Sequence, residues 1–355
     1  MKRIFVPSQG IDDWKRGLAK PEKQRKAGYS AHALASSWEA AHGMPEEVLA
    51  CFKYSGLVVG LLILLGGCAG PSTSSTSGQA MSGPSSTEQM TIPSAQPTRR
   101  SVPLDGVTLS ILEAGTGDPV IYVHGVVTTS NIFSKYLVAY SPDYRGIAVD
   151  LRGYGDSEKT PTGSNISQFV KDLIALADTL KIEKPVWVGV SMGGMILQQL
   201  ALEHPSRVKA LVLVSTTDGP MILDRDLPSI GNPRMNVEVS EHIIVESFPP
   251  GTDQKLYRPL LDRIPTWNAS VLREALTSMS VFNTHGKLSA ITAPTLIMVG
   301  VKDDVATPAI ATDIQEQIAG SHLEKFETGH FTMAEDPNRF VKVLGEFLRS
   351  LKKVD

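Results

Sequence analysis

The sequence predicts an α/β fold: a mostly parallel sheet with helices on both faces and a lid inserted late in the chain. Three observations carry that reading. From about residue 100 onward, apolar β-rich runs alternate with amphipathic stretches, the pattern of repeated strand–helix units. The interval 217–291 breaks this rhythm with clustered Pro, Met and aromatic residues and no clear strand, and an insertion of that length reads as a lid. At 355 residues, 42% hydrophobic and 20% charged, the chain can bury a sizeable core.

Taken in order, the strand-like runs are Val107–Glu113, Val120–His124, Gly146–Asp150, Pro185–Val190, Ala210–Val214, Thr295–Gly300 and a short last one at His322–Glu327. The amphipathic stretches between and after them are Ser167–Leu180, Met192–Leu202, Ala309–Ile318 and Arg339–Leu351. In the lid, Met221, Ile222, Leu223, Phe248, Tyr257, Leu260, Ile264, Trp267, Met279 and Phe282 could line an apolar pocket, although most such residues simply pack a lid on its core.

The chain has a different character before residue 100. Residues 1–53 carry nine Lys/Arg and six Asp/Glu, net +3, which leaves net −6 for the remainder. Residues 1–55 form an extension with helical patches and no chemistry of their own; Trp14, Tyr29 and Trp38 read as packing residues. Residues 56–68 hold a short apolar run, LVVGLLILL, preceded by Lys53 and followed by Gly66-Gly67-Cys68, the layout of a secretory signal. That run is too short to span a bilayer comfortably, which favours a cleaved signal. Residues 69–99 are rich in Ser, Thr, Gly, Pro and Gln and read as a flexible tether.

Leu65-Gly66-Gly67-Cys68 resembles the lipobox of bacterial lipoproteins. The resemblance implies a lipid on Cys68, an anchor in the bacterial cell envelope and a domain held outside the cytoplasm. Such a signal belongs at an N-terminus, so residues 1–43 are expected to come from an over-extended gene start or a fusion, with Met44 as the internal start. The alternative is a cytoplasmic protein in which residues 1–70 are an accessory domain.

Composition excludes several classes. A net charge of −3 argues against a general nucleic-acid binder, which would need a basic face. Two cysteines, Cys51 and Cys68, cannot build a disulfide framework or a four-cysteine zinc site. No H-E-x-x-H metal motif and no Gly-rich phosphate loop are present, so neither a metal nor another cofactor is expected.

The chemistry is carried by a few residues from residue 100 onward. Gly189-Val190-Ser191-Met192-Gly193 matches G-x-S-x-G between an apolar strand and a helical pattern, the context that makes this motif specific. A sharp strand-to-helix turn exposes a serine hydroxyl, and the glycines remove side chains that would clash across it. Serine needs a base. His330, just after the last strand and before the C-terminal helix, is the best-placed histidine. The base needs a carboxylate, and two compete after TLIMVG. Asp303 has the usual offset from the strand end. Asp304 has the usual offset to Pro308, and because DVATP reads as an unbroken turn into the helix, Asp304 is favoured, with Asp303 as the alternative.

With these residues in place, residues 100–355 resemble the α/β-hydrolase family, in which the order is Ser, Asp, His. His124-Gly125 resembles the family's oxyanion turn. Asp150 through Ser157 resembles its D-x-R-G-x-G-x-S segment, and His330 through Phe340 its usual ending. The resemblance implies an eight-stranded, mainly parallel sheet with a helical cap at about 217–291. It also implies an oxyanion hole made by the backbone amides of Val126 and Met192, and leaves His124 to shape its turn. A serine nucleophile argues against epoxide hydrolases and haloalkane dehalogenases, which use Asp. The stretch from Ser191 to Thr216 is similar to 3-oxoadipate enol-lactonases, small esterases and cofactor-free haloperoxidases. The expected activity is hydrolysis of a small or medium acyl ester or lactone through an acyl-enzyme. C–C bond hydrolysis or perhydrolase chemistry on the same residues, or a non-catalytic binding role, are the alternatives.

Overall fold

The computed structural model describes residues 96–221, 233–264 and 268–352. The N-terminal extension, the signal segment with Cys68, the tether as far as residue 95, and the candidate lid residues Ile222, Leu223 and Trp267 lie outside the described residues.

One sheet contains eight strands: β1 (Thr98–Leu104), β2 (Val107–Ala114), β3 (Asp118–Val123), β4 (Tyr144–Asp150), β5 (Val186–Val190), β6 (Ala210–Val214), β7 (Thr295–Gly300) and β8 (His322–Phe326). The helices are α1 (Ser134–Tyr140), α2 (Ile166–Thr179), α3 (Met192–Glu203), α4 (Pro233–Glu246), α5 (Arg258–Leu261), α6 (Ala269–Ser280), α7 (Pro308–Gln317), α8 (Thr332–Glu335) and α9 (Pro337–Leu351). The spatial order is β1-β2-β4-β3-β5-β6-β7-β8. β2 runs antiparallel to both β1 and β4, and every other neighbour pair is parallel.

The two faces of the sheet bury two separate apolar clusters, as the period-2 geometry of a strand requires. In β6, Ala210, Val212 and Val214 join Tyr136 and Leu137 of α1 and Phe340, Leu344 and Leu348 of α9. Leu211 and Leu213 face the other way, onto α2, α3, α7 and the inserted helices. Helix starts follow their caps. Asn165 accepts the Gln168 N–H at 3.0 Å ahead of α2, and Thr307 caps α7 with Pro308 in its first turn.

All seven strands read from the sequence are present, with ends shifted by a residue or two. β1 was not read, and the tether boundary at residue 99 is corrected, since Thr98 and Arg99 already belong to the sheet. β1 is an edge strand with a polar face, TRRSVPL, in which only Val102 is buried, so it lacks the apolar signature of its neighbours. It joins β2 through a two-residue turn at Asp105-Gly106, with Gly106 at φ 77°. Arg99 then reaches across to the fully buried Asp150 at 2.8 Å and to Asp156 at 3.1 Å.

The interval expected to form the cap lies between β6 and β7 and contains α4, α5 and α6. Phe248, Ile264, Met279 and Phe282 are buried in the core, and Tyr257 and Leu260 pack against it. These residues fasten the cap to the sheet, and none of them lines the cavity that holds Ser191. Among the described residues no helix is long and apolar enough to cross a membrane.

Candidate active site

β5 ends in a turn that only a special backbone can make. Ser191 sits at φ 54°, ψ −120°, a conformation L-residues avoid and hold only where surrounding structure enforces it. The enforcement is visible. Its N–H donates to the Val214 carbonyl at 2.9 Å, and its own carbonyl accepts from the Gly194 N–H and the Thr216 hydroxyl, each at 2.8 Å. The motif glycines are required by close approach. A Cβ on Gly189 would lie 2.5 Å from the Gly193 carbonyl oxygen, and one on Gly193 would lie 2.2 Å from that of Val123. The Ser191 hydroxyl makes no cap bond to the helix it precedes. Met192 is the first residue of α3, where backbone N–H groups have no intrahelical acceptor.

Ser191 lines a cavity of about 200 Å³ at the carboxyl ends of the parallel strands, the usual binding edge of such sheets. Val126, Val127, Met221, Ile243, Val305 and Phe331 supply its apolar wall. Thr128, His242, Glu246, Ser247, Asp304 and His330 supply polar groups. Gly125 brings the turn after β3 close to the serine, where an added Cβ would sit 3.2 Å from the Ser191 Cβ. Val126 follows it into the cavity wall. Of the described lid residues expected to line a pocket, Met221 lines this cavity; His242, Ile243, Glu246 and Ser247 were missed, since on a helix only the fold tells which residues face the body.

His330 is buried, and its Nδ1 lies 3.1 and 3.0 Å from the two carboxylate oxygens of Asp303. The preference for Asp304 is therefore corrected: Asp303 meets the imidazole, while Asp304 is exposed and lines the cavity. The cause lies in the loop. Asp303 closes a turn on the end of β7 through its N–H to the Gly300 carbonyl, 3.1 Å. The Val305 and Ala306 N–H groups both donate to Asp303 Oδ1, at 3.0 and 2.8 Å. The extra residue is taken up between this turn and the Thr307 cap, so counting back from Pro308 misplaces the acid.

The loop carrying His330 is held on both sides. Both Glu335 oxygens accept the Gly329 N–H at 3.0 Å, and burial pushes the Glu335 carboxyl above the ordinary range despite that bond. From the cap, the Ser247 carbonyl accepts the His330 N–H at 3.0 Å, and Phe248 stacks on Phe331 with centroids 4.9 Å apart.

His124 has a different task. Its Nε2 accepts the Leu151 N–H at 3.1 Å, so Nδ1 carries the proton and donates to the Gly125 carbonyl at 2.7 Å. Burial lowers its pKa, which keeps the ring neutral and the turn fixed. Arg152 of the D-x-R-G segment forms a bidentate pair with Asp172 at 2.5 and 2.6 Å. Among the described residues no group of three His, Cys, Asp or Glu side chains could hold a metal ion.

Comparison with known proteins agrees with this fold. A family model described as alpha/beta hydrolase fold matches residues 118–233, from β3 through the turn at Ser191 into the cap. The domain has the α/β-hydrolase fold. A second family model, of a domain of unknown function, matches residues 7–69, a span that includes both the basic extension and the apolar run ending at Cys68. A protein of Bacillus subtilis (strain 168), provisionally named a 2-succinyl-6-hydroxy-2,4-cyclohexadiene-1-carboxylate synthase, is 28% identical over 70% of this chain and 97% of its own length. The 3-oxoadipate enol-lactonase 2 of Acinetobacter baylyi is 28% identical over 66% of this chain and 90% of its own. Among solved structures, an esterase from Exiguobacterium antarcticum superposes with a TM-score of 0.65 at 25% identity, covering 70% of this chain and 98% of that one. The α/β-hydrolase domain thus aligns with nearly the full length of enzymes that include hydrolases, and this chain is an enzyme of that class.

Proposed function

We propose that this α/β hydrolase cleaves a carboxylic ester or lactone by nucleophilic catalysis at Ser191. The observation that carries the reading is the strained serine opening onto the same cavity as a histidine whose Nδ1 is committed to a buried carboxylate. With Nδ1–H donated to Asp303, the basic lone pair is on Nε2. Ser191 Oγ attacks the carbonyl carbon and His330 takes the hydroxyl proton. The oxyanion is held by the Met192 and Val126 amides, a donor pair worth about 3 kcal/mol each in comparable sites. The C–O bond breaks, the alkoxide leaves with the proton from His330, and water activated by the same ring hydrolyses the acyl-enzyme. Apolar cavities near 150 Å³ take up benzene-sized molecules. A cavity of about 200 Å³ therefore suits a short or medium acyl group.

p-Nitrophenyl esters from acetate to laurate, assayed beside Ser191→Ala, test this. Turnover that peaks at a short or medium chain and disappears in the variant is expected; turnover that survives in Ser191→Ala would overturn it. A second reading, C–C bond or perhydrolase chemistry on the same residues, rests on the sequence resemblance alone, and its C–C form predicts a folded protein inert to every ester. Anchoring of the enzyme in a bacterial envelope through a lipid on Cys68 is also proposed, from the LGGC segment alone. Radiolabelled palmitate should enter the wild-type protein and not Cys68→Ala, and label retained by the variant would rule the anchor out.

A further inference from the structure

We infer that this cavity selects neutral or cationic substrates and rejects those carrying a carboxylate beyond the scissile bond, with Asp304 and Glu246 as the selecting residues. The inference rests on the ester or lactone reading and narrows it. Four titratable side chains line the cavity: His242, Glu246, Asp304 and His330. Two are carboxylates, and among the described lining residues none is Lys or Arg. Asp303, which holds His330 from behind, adds a third carboxylate close by, this one buried.

The two lining carboxylates come from opposite sides. Asp304 follows the turn after β7 on the body, and Glu246 ends α4 on the cap. Both are exposed to solvent, and Glu246 Oε1 lies 3.7 Å from His242 Nδ1. Lys302, two residues before Asp304, does not line the cavity. A second carboxylate on the substrate would therefore sit between two negative groups with no described cation to receive it. Like charges at 4–6 Å, partly screened by water, disfavour binding by about tenfold. The extra residue in the β7–α7 loop gains a role by this account: it leaves Asp303 on the histidine and adds a carboxylate at the pocket mouth.

The test uses three p-nitrophenyl esters of equal acyl length: valerate, the monoanionic hemiglutarate, and the methyl ester of that hemiglutarate, which is polar but uncharged. The full-length protein is assayed at pH 8, above the ordinary histidine range, in low salt. The methyl glutarate ester should exceed the hemiglutarate in kcat/KM by about tenfold or more. The gap should narrow in 0.5 M salt and close to about twofold in the Asp304→Asn/Glu246→Gln double variant. Equal turnover of the charged and methylated esters, or a gap that persists in the double variant, would overturn the inference and leave the esterase reading standing. A folded enzyme inert to all three esters would sink both together.

Discussion

At the scale of single residues, the site is decided by which carboxylate the histidine meets. Asp303 receives three N–H groups, from His330, Val305 and Ala306, and is almost fully buried; Asp304 faces solvent. Asp303→Asn keeps the shape but places an amide NH₂ donor where a carboxylate oxygen accepts the His330 Nδ1–H, so the imidazole loses its tautomer. A fall in kcat of about 10⁴ is expected on p-nitrophenyl butyrate, as for a carboxamide in the same position of a serine triad. Asp304→Asn should move the charge preference instead. A larger kcat loss in Asp304→Asn than in Asp303→Asn would restore the sequence-based choice. Ser191 and His330 were legible because each is fixed by local chain geometry: a strand-to-helix turn for one, the loop after the last strand for the other. The acid was not, because it lies in a loop with one residue too many, and a linear spacing cannot say whether the strand or the helix keeps the count. Hydrogen bonds to the Asp303 carboxylate answer that in favour of the strand.

At the scale of elements, seven of the eight strands and the place of the cap were legible; the cap helices were not. Central strands such as VWVGV and ALVLV are buried on both faces, so their apolar runs announce them without help from neighbours. Cap helices answer to tertiary contact. α4 has a weak apolar stripe because one side meets the body and another borders the cavity, and its Ile243, Glu246 and the following Ser247 reach the site together. The segment after α4 also ties the cap to the loop that carries His330. Ser247 gives its carbonyl to the His330 N–H, and a Cβ on Gly329 would lie 2.6 Å from Pro249 Cδ. Phe248 stacks on Phe331 and packs against Tyr257 at 5.5 Å. Motion of this part of the cap is therefore motion of the His330 loop, and the pocket-lining Glu246 lies one residue before the contact that carries it.

At the scale of the whole domain, the question is where the folding unit starts. The polar edge strand β1 hides the answer in sequence, since its charged residues merge with the Ser/Thr-rich segment before it. In the fold, Arg99 is a fixed part of the core's polar network. Asp150 is completely buried; it accepts the Ser130 N–H at 2.7 Å, the Asp156 N–H at 3.0 Å and the Arg99 guanidinium at 2.8 Å. The same guanidinium donates to Ser110 and to Asn131, each at 2.8 Å, tying β1 to β2 and to the turn that leads into α1. Removing one partner of a buried pair leaves an uncompensated charge and costs about 3–5 kcal/mol. A chain beginning at residue 96 should therefore unfold in one transition and keep the ester kcat/KM of the full protein. A chain beginning at residue 105 loses β1 and Arg99 together, and its Tm should drop by roughly 6–20 °C for a domain of this size. Full-length Arg99→Ala isolates the charge from the strand and should reproduce most of that drop. If the shorter chain and Arg99→Ala both melt with the parent, β1 is an ornament on the sheet edge and Asp150 is satisfied without it.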